Sequence, residues 1–332
     1  MTSEKVVQTV TGPISSDNLG RVLMHEHVVI SSPGLHQQYP WTYPRSEALA
    51  AAIEGLTALK AVGIDTIVDH TTYDLGRDIE LIAEASRAGG VNIIAATGVW
   101  IEPQRYWQIR SPVEASELLI SDLENGIAGT DIRAGVVKCA IDVAGLTPAV
   151  ERVLRASAIA HRATGVYIST HTHAPGRVGT DQQRVFAEEG VDLSRVVIGH
   201  SGDTTDLEYL RALLSRGSYL GMDRFGAEDR LPDVERMATV ATLCGEGHVD
   251  QILLSHDATF WSDRQPMDSI LRARPYWHHR HVTEDIVPGL MKLGVTADQV
   301  DQMMIQSPRT LLTPSAPYPG EPTEAARRNG WN

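Results

Sequence analysis

The sequence predicts an α/β fold: a single (β/α)8 TIM barrel with a short N-terminal hairpin and a long eighth loop. Three observations predict it. Eight short apolar segments, often β-branched, alternate with stretches of helical periodicity, as buried parallel strands and their crossover helices do. Several of these segments end on His, Lys or Asp, where the catalytic rim of such a barrel lies. No Gly-x-Gly-x-x-Gly follows the first strand, so an open dinucleotide-binding sheet loses its best support. The 332 residues suit one barrel spanning residues 1–332.

The elements follow in order. Residues 6–19 hold Val-Val-Gln-Thr-Val-Thr, then Gly12-Pro13, and read as the hairpin. A first strand ends in Met24. Residues 31–45 are rich in Pro, Gly and aromatics and form a loop. Leu49, Ile53, Leu56 and Leu59 recur at helical spacing over 46–62, with Ser46 able to cap that helix. Further strands are expected at 66–68, 92–96, 134–137, 166–170, 195–199, 219–222 and 251–255. Helices are expected near 76–87, 112–127, 148–163, 180–189, 207–214 and 232–243, then at 282–293 and 296–312. The tail, 313–332, is rich in Pro and Gly and is expected to be draped on the surface or disordered.

Charge and cysteine content narrow the function. Lys plus Arg number 29 and Asp plus Glu 42, a net charge of −13. That acidity argues against nucleic acid or an anionic membrane as the main partner. Cys139 and Cys244 stand far apart, which excludes a disulfide scaffold and fits a reducing compartment. Residues 1–7 lack a signal-peptide core, and no apolar run is long enough to span a membrane. The cytoplasm is the expected location.

The chemistry gathers at the strand exits. His25 and His27, in Leu-Met-His-Glu-His (23–27), present two imidazoles on one side only if the backbone is extended, because strand side chains alternate. The other exits supply Lys138, His171, His200 and Asp257. Six metal-competent residues on one rim are what a hydrolytic metal site needs. A free lysine amine is protonated at neutral pH and does not bind metal. Burial near cations would lower its pKa, and the neutral amine could then take up carbon dioxide as a carbamate. An ammonium paired with Asp257 is the other reading, and spacing alone leaves both open. His278, His279 and His281 read as a solvated face, and His36, His70, His161 and His248 receive no role.

The sequence resembles the phosphotriesterase family of the amidohydrolase superfamily, and within it the phosphotriesterase-like lactonases. The resemblance runs from about Thr9 to Leu312. It is carried by Leu-Met-His-Glu-His (23–27), Ala-Thr-Gly-Val-Trp (96–100), Gly-Val-Val-Lys (135–138) and Ser-Thr-His-Thr-His-Ala (169–174). It continues in Ile-Gly-His-Ser-Gly-Asp (198–203), Gly-Met-Asp-Arg-Phe-Gly (221–226) and Leu-Ser-His-Asp (254–257).

The resemblance implies two divalent metal ions. Zinc leads, and iron, cobalt and manganese are compatible. His25, His27 and Asp257 would hold the more buried ion and His171 and His200 the more exposed one. Lys138, as N6-carboxylysine, and a hydroxide would bridge them. The hydroxide would be the nucleophile, and Asp257 would accept and relay its proton. His173 would be a neighbour and not a ligand. Trp100 stands where many of these lactonases have tyrosine, and its indole can only donate. Arg224 would border the pocket, with a salt bridge to Asp223 as the alternative. The loop from 258 to about 280 would form an acyl channel through Phe260, Trp261, Ile270 and Leu271, unless these pack on the barrel or a partner subunit. The implied activity is hydrolysis of lactones, N-acyl-homoserine lactones first, by a homodimer, as in quorum quenching. Phosphotriester or aryl ester hydrolysis competes with it, and a metal-retaining binding protein without turnover is the non-enzyme reading.

Overall fold

The computed structural model describes residues 5–330. Eleven strands are formed: β1 (Val6–Thr9), β2 (Gly12–Ser15), β3 (Val22–Ile30), β4 (Thr66–Asp69), β5 (Asn92–Gly98), β6 (Val136–Ile141), β7 (Ile168–Thr172), β8 (Val196–Ile198), β9 (Tyr219–Met222), β10 (Ile252–Leu254) and β11 (Thr259–Ser262). β1 and β2 make the antiparallel hairpin. The other nine form one parallel sheet in the order β10-β9-β8-β7-β6-β5-β4-β3-β11. Its two edges, β10 and β11, belong to one stretch of chain. The eighth strand is therefore broken at 255–258, with one half on β9 and the other on β3. Asp257 N–H donates to His25 O (3.0 Å) and His27 N–H to Ala258 O (2.8 Å), which stitches the break and closes the barrel.

Several expectations are corrected here. β3 runs on to Ile30, so His25 and His27 lie within a strand and not at its end. β6 likewise runs to Ile141, so Lys138 is inside it. Thr259–Ser262 is strand and not loop, because pairing with β3 satisfies its backbone. The helix Arg45–Ala61 begins directly after Pro44, whose fixed φ suits a helix start, and Ser46 does not cap it. The helical stretches 282–292 and 297–312 each contain a π-turn, at Val282–Ile286 and Gln302–Gln306.

Two apolar layers fill the molecule. Val22, Met24, Val68, Ile94, Val136 and Tyr167 point into the barrel floor, which Val7 and Leu19 of the hairpin region and Leu311 and Leu312 close from below. The opposite faces of the strands pack on the surrounding helices. None of these helices is long and apolar enough to cross a membrane.

The C-terminal stretch lies against this shell. Ser315 N–H donates to Gly165 O (3.0 Å), Ala326 is buried and Gly330 N–H donates to Ile109 O (3.0 Å). The Tyr318 hydroxyl donates to His161 Nε2 (2.5 Å), while His161 Nδ1–H donates to Val166 O (2.7 Å). Burial holds this imidazole down at about 4. Unfolded, it would titrate near 6.5. Between those values the unfolded chain binds the extra proton, so stability rises with pH. The contribution is full above pH 6.5 and lost as pH falls towards 4, a change of up to ~3 kcal/mol. His161→Gln should therefore flatten the dependence of Tm on pH across that window. Parallel profiles for the two proteins would contradict this.

Candidate metal centre

A β-bulge sets the first two candidate ligands, His25 and His27. Val22 and Met24 face the barrel interior, and strict alternation would send Glu26 inward after them. The register of β3 on β4 shifts between Leu23 and Glu26. The extra residue reverses the parity, so His25 and His27 turn inward and Glu26 outward. β6 needs no such device: Val136 and Lys138 face in, and Val137 and Cys139 face the helices.

The structure brings all six expected residues together. His25 Nε2 lies 3.1 Å from Lys138 Nζ and 3.3 Å from Asp257 Oδ1. His27 Nε2 lies 3.2 Å from the same Oδ1. His200 Nε2 is 2.9 Å from His171 Nδ1 and 3.9 Å from Asp257 Oδ2. His173 is not among them and lines a smaller side cavity.

These side chains are held from behind. Asp223 accepts from His25 Nδ1–H (2.7 Å) with one oxygen, and from His200 Nδ1–H and N–H (both 2.8 Å) with the other. Thr71 Oγ1 pairs with His27 Nδ1 (2.9 Å) and is itself bound to Asp69. Each of these imidazoles thus keeps its Nε2 lone pair for the centre. Outward-facing Glu26 accepts from Ser255 Oγ (2.8 Å), His256 N–H (3.0 Å), Ala258 N–H (3.2 Å) and His256 Nδ1–H (2.6 Å). It grips the strand break that carries Asp257. His200 and Asp257 have φ of 56° and 57°, a left-handed backbone uncommon outside glycine and characteristic of functional sites.

Burial dominates the electrostatics. It lowers the Lys138 amine to about 8 and His171 to about 4, and it raises Glu26 to about 7. His200 is also held well below its usual value by burial and by Arg224. The amine of Lys138 and the imidazoles of His25, His171 and His200 are therefore shifted towards their neutral forms. The amine of Lys138 is buried with one hydrogen-bond partner among the described residues, His25, for its three donor positions. Converging imidazole nitrogens, an aspartate and an amine disposed to neutrality fit a pair of divalent cations. Ligand atoms of His25, His27 and Asp257 lie within 4.8 Å of one another, as do those of His25, His200 and Asp223. In the second trio Asp223 engages Nδ1–H groups at hydrogen-bond distance, which makes it a support rather than a ligand.

Above the centre opens a cavity of about 550 Å³. Trp100, Arg224 and Ile270 line it, as do His27 and Asp257. Arg224 does not pair with Asp223, which the histidines occupy. Its Nε–H donates to Asp257 (2.9 Å) and its Nη1–H to Asp203 (2.8 Å). Phe260 and Trp261 do not line the cavity. Phe260 stacks on His279 (3.8 Å between centroids) and Trp261 packs edge-on against Tyr43. Leu271 is exposed and also does not line the cavity. His279 and His281 are buried, contrary to a solvated face, and His281 Nε2 pairs with Asp233 (2.9 Å).

Three residues escaped the sequence reading. Asp223 directly follows a strand, the same signal that marked the candidate ligands, but adjacent Arg224 offered a simpler partner. Glu26 lies between two candidate ligands, and its role depends on the bulge. His70 is fully buried with its ring 4.1 Å from that of His25. Neither of its ring nitrogens has a hydrogen-bond partner among the described residues. Gly98 is the close-packing glycine of the centre: at φ 130° any Cβ would collide with the Lys138 carbonyl.

Known proteins share this architecture. The sequence profile of the phosphotriesterase family matches residues 5–312. The phosphotriesterase homology protein of Mycobacterium tuberculosis is 47% identical over 322 residues, covering 94% of this chain and 99% of that protein. An aryldialkylphosphatase of Saccharolobus solfataricus is 36% identical, covering 90% of this chain and 97% of that one. The solved structure of the phosphotriesterase from Mycobacterium tuberculosis superposes with a TM-score of 0.89 at 47% identity, over 92% of this chain and 98% of that one.

Proposed function

This chain belongs to the phosphotriesterase family, and on that premise we propose that it is a binuclear metal-dependent hydrolase that opens lactone rings, N-acyl-homoserine lactones first. The observation that carries the reading is the convergence of His25, His27, Lys138, His171, His200 and Asp257 beneath one open cavity. His25, His27 and Asp257 would hold one ion and His171 and His200 the other, with Lys138, as N6-carboxylysine, supplying carboxylate oxygens to the pair. When bound, the ions polarise the substrate carbonyl and activate water. Zinc suits the donor set best, with iron, cobalt and manganese as substitutes.

The chain's own groups do the rest. Asp257 takes up the proton released by the attacking water and passes it to solvent in the cavity it lines. Arg224 fixes the Asp257 carboxylate through Nε–H and is itself anchored on Asp203. Trp100 forms a floor under the ring. Ile30, Leu75, Ile270 and Ala273 supply an apolar wall for an acyl group. The protein acts in the cytoplasm, in keeping with two unpaired cysteines. It pairs as a homodimer, a reading supported by the exposed apolar side chains of Leu35, Tyr39 and Trp41.

The test joins metal analysis to a substrate panel. Close to two transition-metal ions per chain are expected, with activity lost on chelation and restored by zinc, cobalt or manganese. A lactone should exceed an activated phosphotriester in kcat/KM. Full activity with one ion per chain would sink the binuclear scheme. A clear preference for the phosphotriester would move the main activity to phosphotriester hydrolysis, the reading that the name of the Saccharolobus relative favours. Metal retention without any turnover would leave a binding protein.

A further inference from the structure

The cavity above the centre has a charge that the rest of the chain does not lead one to expect. Net charge over the whole sequence is −13, yet four arginines and only two aspartates line this cavity. Both aspartates are already engaged. Asp257 belongs to the centre and to Arg224, and Asp229 pairs with Arg274 (2.6 Å). Arg224 and Arg274 are thereby matched.

Arg230 and Arg264 are not. Among the described residues neither makes an ion pair, although carboxylates outnumber basic groups in the chain. Arg264 is held in place nonetheless. Its guanidinium carbon lies 4.7 Å from the centroid of the Trp100 ring, the proposed floor of the site. An arginine stacked on an aromatic plane has its orientation fixed while its N–H groups stay free to donate. Arg230 lines both this cavity and the smaller one beside His171 and Asp203, so it stands at the junction between the two. A planar guanidinium presents a fork that matches an oxyanion. Two unmatched forks on the wall of one reaction cavity form a receptor for negative charge, and a positive cavity in an acidic protein concentrates anionic substrate by focusing the field.

We propose that the substrate carries a carboxylate or sulfonate at the end remote from the scissile bond, and that Arg230 and Arg264 bind this oxyanion. The inference rests on the hydrolase reading for the position of the scissile group and goes beyond it in assigning the substrate's charge. Both side chains are exposed and solvated, and a neutral alkyl tail laid against them would displace water without replacing its hydrogen bonds. An oxyanion would satisfy them with charge-assisted hydrogen bonds.

A matched pair of substrates tests this on the metal-loaded protein. N-hexanoyl-homoserine lactone and N-adipoyl-homoserine lactone share the scissile ring and chain length, and differ in ending on methyl or carboxylate. Both kcat/KM and the calorimetric Kd are measured. The adipoyl compound should be favoured at least tenfold in each. The preference should shrink when ionic strength is raised about tenfold, which shortens the Debye length about threefold. It should fall towards unity in Arg230→Met combined with Arg264→Met, read as the ratio between the two compounds so that a general loss of activity cancels. Equal values for the two compounds, or a preference that survives both substitutions, would overturn the proposal even if both lactones are hydrolysed. If neither is hydrolysed, the lactonase reading fails separately. In that case tighter arginine-dependent binding of the adipoyl compound would still uphold the oxyanion site, and equal binding would overturn it.

Discussion

Lys138→Ala is expected to empty the centre of metal and to lower kcat/KM by about three orders of magnitude, a loss of ~4 kcal/mol of transition-state stabilisation. The residue is buried within β6, its Nζ 3.1 Å from His25 Nε2, and burial lowers its amine to about 8. A group so placed is readily neutral, and a neutral amine is what carbon dioxide requires. Carboxylation would convert a competing cation into a ligand with two oxygens. Alanine removes that ligand and leaves a void of the size of a small acid. Acetate or propionate should therefore recover part of both metal content and rate. Metal analysis with and without the added acid gives the decisive reading. Unchanged stoichiometry in the alanine variant, or an unmodified ammonium in active protein, would refute the carbamate.

Asp223→Ala should be the next most damaging change, although Asp223 is proposed to touch neither metal nor substrate. Its two oxygens hold His25 and His200, histidines assigned to different ions. Losing one such support costs about 10–100-fold in metal affinity. Losing a shared support should weaken both ions, and the outer one should escape first. Asp223→Asn should fall between. An amide has one acceptor oxygen and one donor nitrogen, so it can serve one Nδ1–H and must oppose the other. Competition against a chromogenic chelator would resolve the two affinities. If Asp223→Ala bound both ions as tightly as the native protein, the supporting role would be wrong.

The parts of the molecule legible in the sequence are those with a local cause. Apolar runs such as Asn92-Ile93-Ile94-Ala95-Ala96 marked their strands because burial of both faces dictates composition. The candidate ligands were legible because imidazole, amine and carboxylate are out of place in an apolar run. What could not be read depends on distant parts of the chain. The inward turn of His25 after Met24 needs a bulge fixed by pairing with β4. Thr259–Ser262 is strand only because β3 lies beside it, 230 residues earlier for the His27–Asp257 contact. Phe260 and Trp261 were apolar enough for a channel, but the fold packs them on His279 and Tyr43, distant in sequence. Asp223 and Arg224 were adjacent and of opposite charge, and the fold gives each a different partner.

The broken eighth strand has a consequence for biosynthesis. Asp257 meets the β3 backbone at His25, and among the described residues no other segment closes that seam. A ribosome adds roughly 5–20 residues per second. The interval between the emergence of His25 and that of Asp257 is then on the order of 10–50 s. Throughout it, the edge of β3 is an open template and the two N-terminal histidines can capture stray metal without their aspartate. Correct loading must therefore follow chain completion. A medium rich in a competing metal, or slower elongation that lengthens this interval, should raise the fraction of mismetallated or edge-paired chains, and faster elongation should lower it.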